Sequence, residues 1–151
     1  MSMEPLRLKL SDFSSLFLFK SLKVPKAVGS LSDLNLFQYR MGLLNCAFTG
    51  REGIPSDLTD FPPSYFELSL SSYIEIDEKI RGMFLVRKND EGELELVLLQ
   101  AIGVDYKLYL ASLMKNTYKN AVELYPKDSV VVVPRNSKET IALTQQLFPG
   151  R

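Results

Sequence analysis

The chain has 151 residues, enough for one domain that buries about 68–70% of the surface its unfolded form exposes. Hydrophobic residues make up 46% and charged residues 24%, which excludes a disordered or fibrous chain. Lys plus Arg and Asp plus Glu number 18 each, so no broad attraction to nucleic acid or to an anionic membrane surface is expected.

His is absent, which removes the commonest general base, the usual catalytic triad and most transition-metal sites; no metal is expected. The single cysteine, Cys46, has no intramolecular disulfide partner and fits a reducing compartment. No apolar stretch approaches the roughly 20 residues that span a bilayer, and the start, MSMEPLRLKL, lacks the apolar core of a signal peptide. These features point to a single cytoplasmic domain over residues 1–151.

Leu6-Arg7-Leu8-Lys9-Leu10 alternates strictly and reads as a first strand. Ser11 or Asp12 then opens a short helix through Phe13, Leu16, Phe17 and Lys20, and residues 23–30, with Pro25 and Gly29, read as a loop. A second helix is expected from Ser32 or Asp33 to about Phe48, with Leu36, Tyr39, Leu43 and Ala47 on one face and Gly42 marking a bend or a close contact. Residues 49–64 hold Gly50, Gly53, Pro55, Pro62 and Pro63 without sustained periodicity and read as a surface loop. Residues 65–70 are equally compatible with a short helix and with an irregular lead into the sheet.

Three extended runs follow, at residues 73–77, 80–87 and 94–104, which read as an antiparallel meander. Gly82 marks a bulge or a close backbone approach in the second run, and Asn89-Asp90-Glu91-Gly92 has the chemistry of a reversing turn. The third run is apolar on both faces and is expected at the centre of the sheet. Asp105 can cap a helix from Tyr106 to about Tyr125, with Leu110, Leu113, Met114, Thr117 and Ala121 in a stripe. Pro126 blocks its continuation, residues 129–133 form a buried strand, and Asn136 or Ser137 caps a last helix. The fold class expected from this order is α+β, with a mixed, mostly antiparallel central sheet flanked by helices.

Candidate chemistry is sparse. Glu93 and Glu95, at the start of the third run, could take a proton from an amine or stand as solvated residues beside a turn. Gln100 is a polar residue in an apolar run and needs a partner, either a ligand or bulged backbone. Tyr106, Tyr109, Tyr118 and Tyr125 lie too far apart on one helix for a single platform and read as packing residues. Lys115, Lys119 and Lys127 read as a solvated helix face, and Cys46 as a small core residue.

The order of strand, two helices, three antiparallel strands, helix, strand and helix, together with VVVVPRNSKETIALTQQLFPG near the end, resembles the GNAT superfamily of acyl-CoA-dependent N-acyltransferases. The resemblance covers most of the chain in topology and about residues 73–150 in sequence. It implies that Ala101, Ile102, Gly103 and Val104 present backbone groups to the pantetheine arm of acetyl-CoA, that Lys107 meets the pyrophosphate, and that Asn136 opens the final helix beside the cofactor. It further implies Glu95 as base, Thr144 at the position of the proton donor, and a small-molecule amine or a protein as acceptor, without nucleic acid or membrane. The stretch after Gly103 carries Asp105 and no further glycine, unlike the family's phosphate loop, and the alternative expectation is a non-catalytic interaction or ligand-sensing domain. An oligomer built on an exposed strand edge is compatible with either reading.

Overall fold

The computed structural model describes residues 6–15, 27–47, 63–133 and 145–146. Its strands are β1 (Leu6–Lys9), β2 (Val28–Ser30), β3 (Ser72–Ile76), β4 (Lys79–Lys88), β5 (Leu94–Ala101) and β6 (Val130–Val133), and its longer helices are α1 (Leu36–Ala47) and α2 (Tyr106–Leu124). The strands form one open sheet in the order β1-β6-β5-β4-β3-β2. Every neighbouring pair is antiparallel except β5 with β6, so the fold is mixed α+β with a mostly antiparallel sheet. The meander expected around residues 73–104 is β3, β4 and β5, and the doubly apolar third run lies in the interior of the sheet.

Alternation along the strands divides the core in two. Ile74, Phe84, Val86, Leu94 and Leu96 pack with Leu110, Leu113, Met114 and Ala121 of α2 on one face. Met83, Leu85 and Ile80 pack with Tyr39 and Leu43 of α1 on the other. Burying each such Leu, Ile or Phe contributes about 1.5–3 kcal/mol, so the two faces together hold the sheet between the helices.

Two glycines set close approaches. A Cβ at Gly42 would lie 2.9 Å from Met83 Sδ and 3.0 Å from Ile80 Cδ1, so α1 rests directly on β4. A Cβ at Gly82 would meet Ile74 Cγ2 at 2.9 Å and both Ala101 Cβ and the Gln100 carbonyl oxygen at 3.2 Å. Beside it the β3–β4 register slips, since Ile74 pairs with Gly82 and Glu75 with Ile80, which leaves Arg81 as the extra residue. The turn between these strands puts Asp77 and Glu78 at φ 53° and 65°, the left-handed pair of a two-residue hairpin. Each costs on the order of 1 kcal/mol in a residue with a Cβ.

Several expectations need correction. The helix expected from residue 11 to residue 20 is a 3-10 helix at Leu10–Ser15 where it is described, because Leu10 and Ser11 donate to the Ser129 and Lys127 carbonyls and Asp12 Oδ2 accepts from Lys9 N. Val28–Ser30, read as loop, is a strand on the edge beside β3, too short to show alternation in sequence. The helix expected from Ser32 or Asp33 begins later. Ser30 and Asp33 form a capping box around a 3-10 turn, and Asn35 and Gln38 exchange side-chain bonds with each other's backbone N–H at 2.8 and 2.9 Å to start α1. Leu36 is 47% exposed and lies off the buried face. Pro63–Tyr65 is a 3-10 turn, and β5 ends at Ala101 rather than residue 104 because Gly103 turns the chain at φ 106°. The rest of the 49–64 loop, Asn136, Thr144 and most of the last helix lie outside the described residues.

Candidate functional site

The parallel neighbour of β5 is β6, which is described as far as Val133. Their parallel pairing is recorded at Leu94 with Val131 and Glu95 with Val132. Just beyond, the β4–β5 register slips: Val86 pairs with Leu96 and Leu85 with Leu98, so Val97 is an extra residue. A bulge bends and twists the strand that carries it. β5 therefore changes course two residues past Glu95, its last pairing with β6 among the described residues, and runs on to Ala101 against β4. The broken alternation in Leu96-Val97-Leu98-Leu99 is the signal that could have located this bulge, and an all-apolar run hides it.

Ala101 is buried opposite Gly82, and its side chain joins the α2-facing core. The Ile102 N–H donates to the Arg81 carbonyl at 2.8 Å, so its amide is already used. Gly103, Val104, Asp105 and Lys107 are exposed, Val104 at 99%. Asp105 occupies the N-cap position of α2, but at φ −97° and ψ 24° its side chain makes no capping bond. The Tyr106 and Tyr109 amides donate to the Gly103 and Asp105 carbonyls at 3.3 and 3.1 Å, and the helix dipole puts a partial positive charge at the Lys107 and Leu108 amides between them. The exposed Asp105 carboxylate opposes an anion there, and the Lys107 ammonium favours one.

Glu95 sits at the other end of β5, about 20 Å from Ala101 at the usual strand rise. Directly across the ladder is Arg87, whose Nε and Nη2 both donate to Glu95 Oε2 at 3.0 Å. Burial works against the Arg87 charge, yet Glu95 outweighs it through attraction and the hydrogen bond and raises the guanidinium pKa. Arg87 Nη1 also donates to the Tyr65 hydroxyl at 2.8 Å, and the guanidinium lies 5.5 Å from the centre of the Tyr65 ring. Arg87 and Tyr65 were not singled out from the sequence. The turn at residues 89–92 centres a hairpin in which Arg87 and Glu95 oppose, so the pair was available to a register argument.

Glu93 belongs to a separate cluster. The Asn89 amide, ahead of the Arg7 guanidinium, holds its carboxyl below the usual range. The same Asn89 carbonyl oxygen accepts from the Glu91 and Glu93 amides, so Glu93 closes the β4–β5 turn and ties it to β1. Gln100 is 1% exposed and shares a row with Met83 on the α1 face, and its Oε1 has no hydrogen-bond partner among the described residues. Of the four tyrosines of the α2 segment, Tyr125 donates to Glu67 Oε2, and burial first, then Glu67, raises its pKa. All four lie half-buried against the α2-facing core.

The structure thus brings Ala101, Ile102, Gly103, Val104 and Lys107 together at one end of β5 and leaves Glu95 at the other. Among the described residues no three His, Cys, Asp or Glu side chains gather as a metal site, and no helix is long and apolar enough to cross a membrane. Comparison with known protein families, characterised proteins and solved structures finds no match to this chain.

Proposed function

We propose that this chain is a divergent, GNAT-like N-acyltransferase that takes an acyl group from acyl-CoA to an amine. The observation that carries the reading is the Val97 bulge in β5, two residues past its pairing with β6, followed by the exposed turn at Gly103 that leads into α2. From Val97 to Ala101 the strand runs about 13 Å, room for the inner part of an extended thioester arm to lie along it. The acyl carbonyl would then sit near the bulge and the phosphates near Gly103, Val104 and Lys107. The partial positive charge at the Lys107 and Leu108 amides favours the phosphates. In this arrangement Glu95, two residues from the bulge, receives the proton of the attacking amine while the C–N bond forms, the C–S bond breaks and the thiolate leaves. Arg87 orients Glu95 through the two bonds to Oε2. The roles of Asn136 beside the cofactor and Thr144 as proton donor rest on the resemblance alone.

Asp105 favours a second reading, a ligand-sensing or interaction domain that has given up the transfer chemistry, because an exposed carboxylate at that mouth weakens a pyrophosphate grip. Calorimetric titration with acetyl-CoA, followed by thiol release in the presence of a primary amine, separates the two. Heat with thiol release supports transfer, heat without release supports sensing, and absence of heat at millimolar acetyl-CoA with the protein folded refutes the acyltransferase reading and leaves the interaction domain. Gly103→Val is expected to abolish the heat, whereas Glu95→Ala leaves binding and stops release; equal loss of binding from both would refute the site assignment.

A further inference from the structure

We propose that the groove between α1 and the β3–β4 turn docks a polypeptide segment of a partner protein that presents a bulky apolar side chain next to a lysine or arginine. The groove measures about 470 Å³ and is lined by Phe37, Gln38, Met41, Glu75, Glu78 and Lys79, among others. That volume suits one large side chain and its neighbours.

The helix wall of the groove departs from the pattern of a solvated face. Tyr39 and Leu43 already fill the core on the inner side of α1. Phe37 and Met41 nevertheless point outward, 73% and 41% exposed, one turn apart on the same side. An ordinary surface helix carries polar residues there. Gly42 lets the helix settle onto Ile80 and Met83, which brings this apolar ridge down beside the hairpin.

The opposite wall supplies the charge. Glu75, Asp77 and Glu78 stand within four residues, and none of their carboxylates has an ion-pair partner among the described residues. Glu75 and Glu78 line the groove with Asp77 between them on the turn, and Lys79 is the one cation among the described lining residues. The turn holds Asp77 and Glu78 at positive φ, where Asn-Gly would fit with less strain, so two carboxylates are kept at a position that disfavours them. An apolar ridge facing an excess of carboxylates complements an apolar side chain flanked by an ammonium or guanidinium group. It repels phosphates, which excludes nucleic acid and an anionic membrane as the occupant. The groove lies on the α1 face at the hairpin end of the sheet, and the proposal does not depend on acyl transfer.

The test is a selection of displayed random peptides on the immobilised full chain, with affinities of the synthesised winners measured by fluorescence anisotropy. Enriched peptides are expected to pair an aromatic or Leu residue with Lys or Arg. Phe37→Asp is expected to weaken them about tenfold, as for an anchor contact. Glu75→Gln with Glu78→Gln should weaken them about threefold and flatten the salt dependence. Both sets replace exposed or rim side chains, and unchanged thermal melting confirms that the fold is intact. No enrichment, winners that lack basic residues, or equal binding to the Phe37→Asp variant would overturn the proposal. So would a dimer in sedimentation that Phe37→Asp dissolves, since the face would then belong to a second copy of the chain.

Discussion

Replacing Gln100 by Met should make the protein more stable. The Gln100 side chain is 1% exposed, its Oε1 has no partner among the described residues, and it lies in the row that includes Met83 on the α1 face of the sheet. An amide taken out of water without a compensating hydrogen bond costs about 1–3 kcal/mol in proteins. Met has a similar length and volume, no polar end to desolvate and enough flexibility to settle against its neighbours. Part of the gain is lost to imperfect packing, so a net stabilisation of about 1–2 kcal/mol is expected, or roughly 3–6 °C in melting temperature for a chain of this size. Urea unfolding should show a higher midpoint with an unchanged slope, which separates a stability change from a change in the surface exposed. A loss of about 1 kcal/mol or more would refute the reasoning: Oε1 would then be satisfied in the folded protein, for example by an ordered water. If the stabilisation is found, Gln100 is retained at a cost to stability, and the substituted protein becomes the natural one to test for lost ligand binding.

The two close-packed glycines should respond differently. Gly82→Val drives side-chain atoms against the Gln100 backbone oxygen and Ala101 in the sheet interior and should cost about 3 kcal/mol in urea unfolding. Gly42→Ala meets only the flexible ends of Met83 and Ile80, and the gain of about 1 kcal/mol in helix propensity offsets their displacement, leaving stability within about 1 kcal/mol of the parent. The reverse order would refute this account of the contacts. Burial pushes the Tyr39 hydroxyl up to about 12 from an ordinary 10.0. The unfolded chain therefore releases this proton first, and its contribution to stability, complete below pH 10, falls as pH rises toward 12, by at most about 1.4 kcal/mol per pH unit. Tyr39→Phe should remove this slope from alkaline unfolding curves; an unchanged slope would contradict the assignment.

The legible parts of the fold were those with long, regular patterns. The stripe of Leu110, Leu113, Met114, Thr117 and Ala121 located α2 to within a residue of its end, because burial against a sheet imposes the same helical spacing on the sequence. Gly82 and Gly42 were readable as close approaches because a missing side chain is visible in the sequence. Short elements were not readable: β2 has three residues and takes its identity from Tyr73 and its neighbours on β3 rather than from its own alternation. For the candidate site, the apolar run of β5 was plain, whereas its bulge was hidden, since a slip of register leaves no mark when residues on both faces are apolar.

By itself the sequence determined a mixed α+β chain built on a central meander, with helical and extended segments set by hydrophobic period and turn chemistry. It determined the stock of reactive groups as well, a chain with no histidine and one cysteine. Only the tertiary structure decided that β1 pairs with β6 at the far edge, that β5 bulges at Val97 beyond Glu95, and that Arg87, itself bonded to Tyr65, holds that carboxylate. It alone set Phe37 and Met41 opposite the Glu75–Glu78 hairpin. Local periodicity reports which face of an element is buried, but strand order and facing side chains depend on contacts between residues distant in the chain, and no short stretch of sequence encodes those alone.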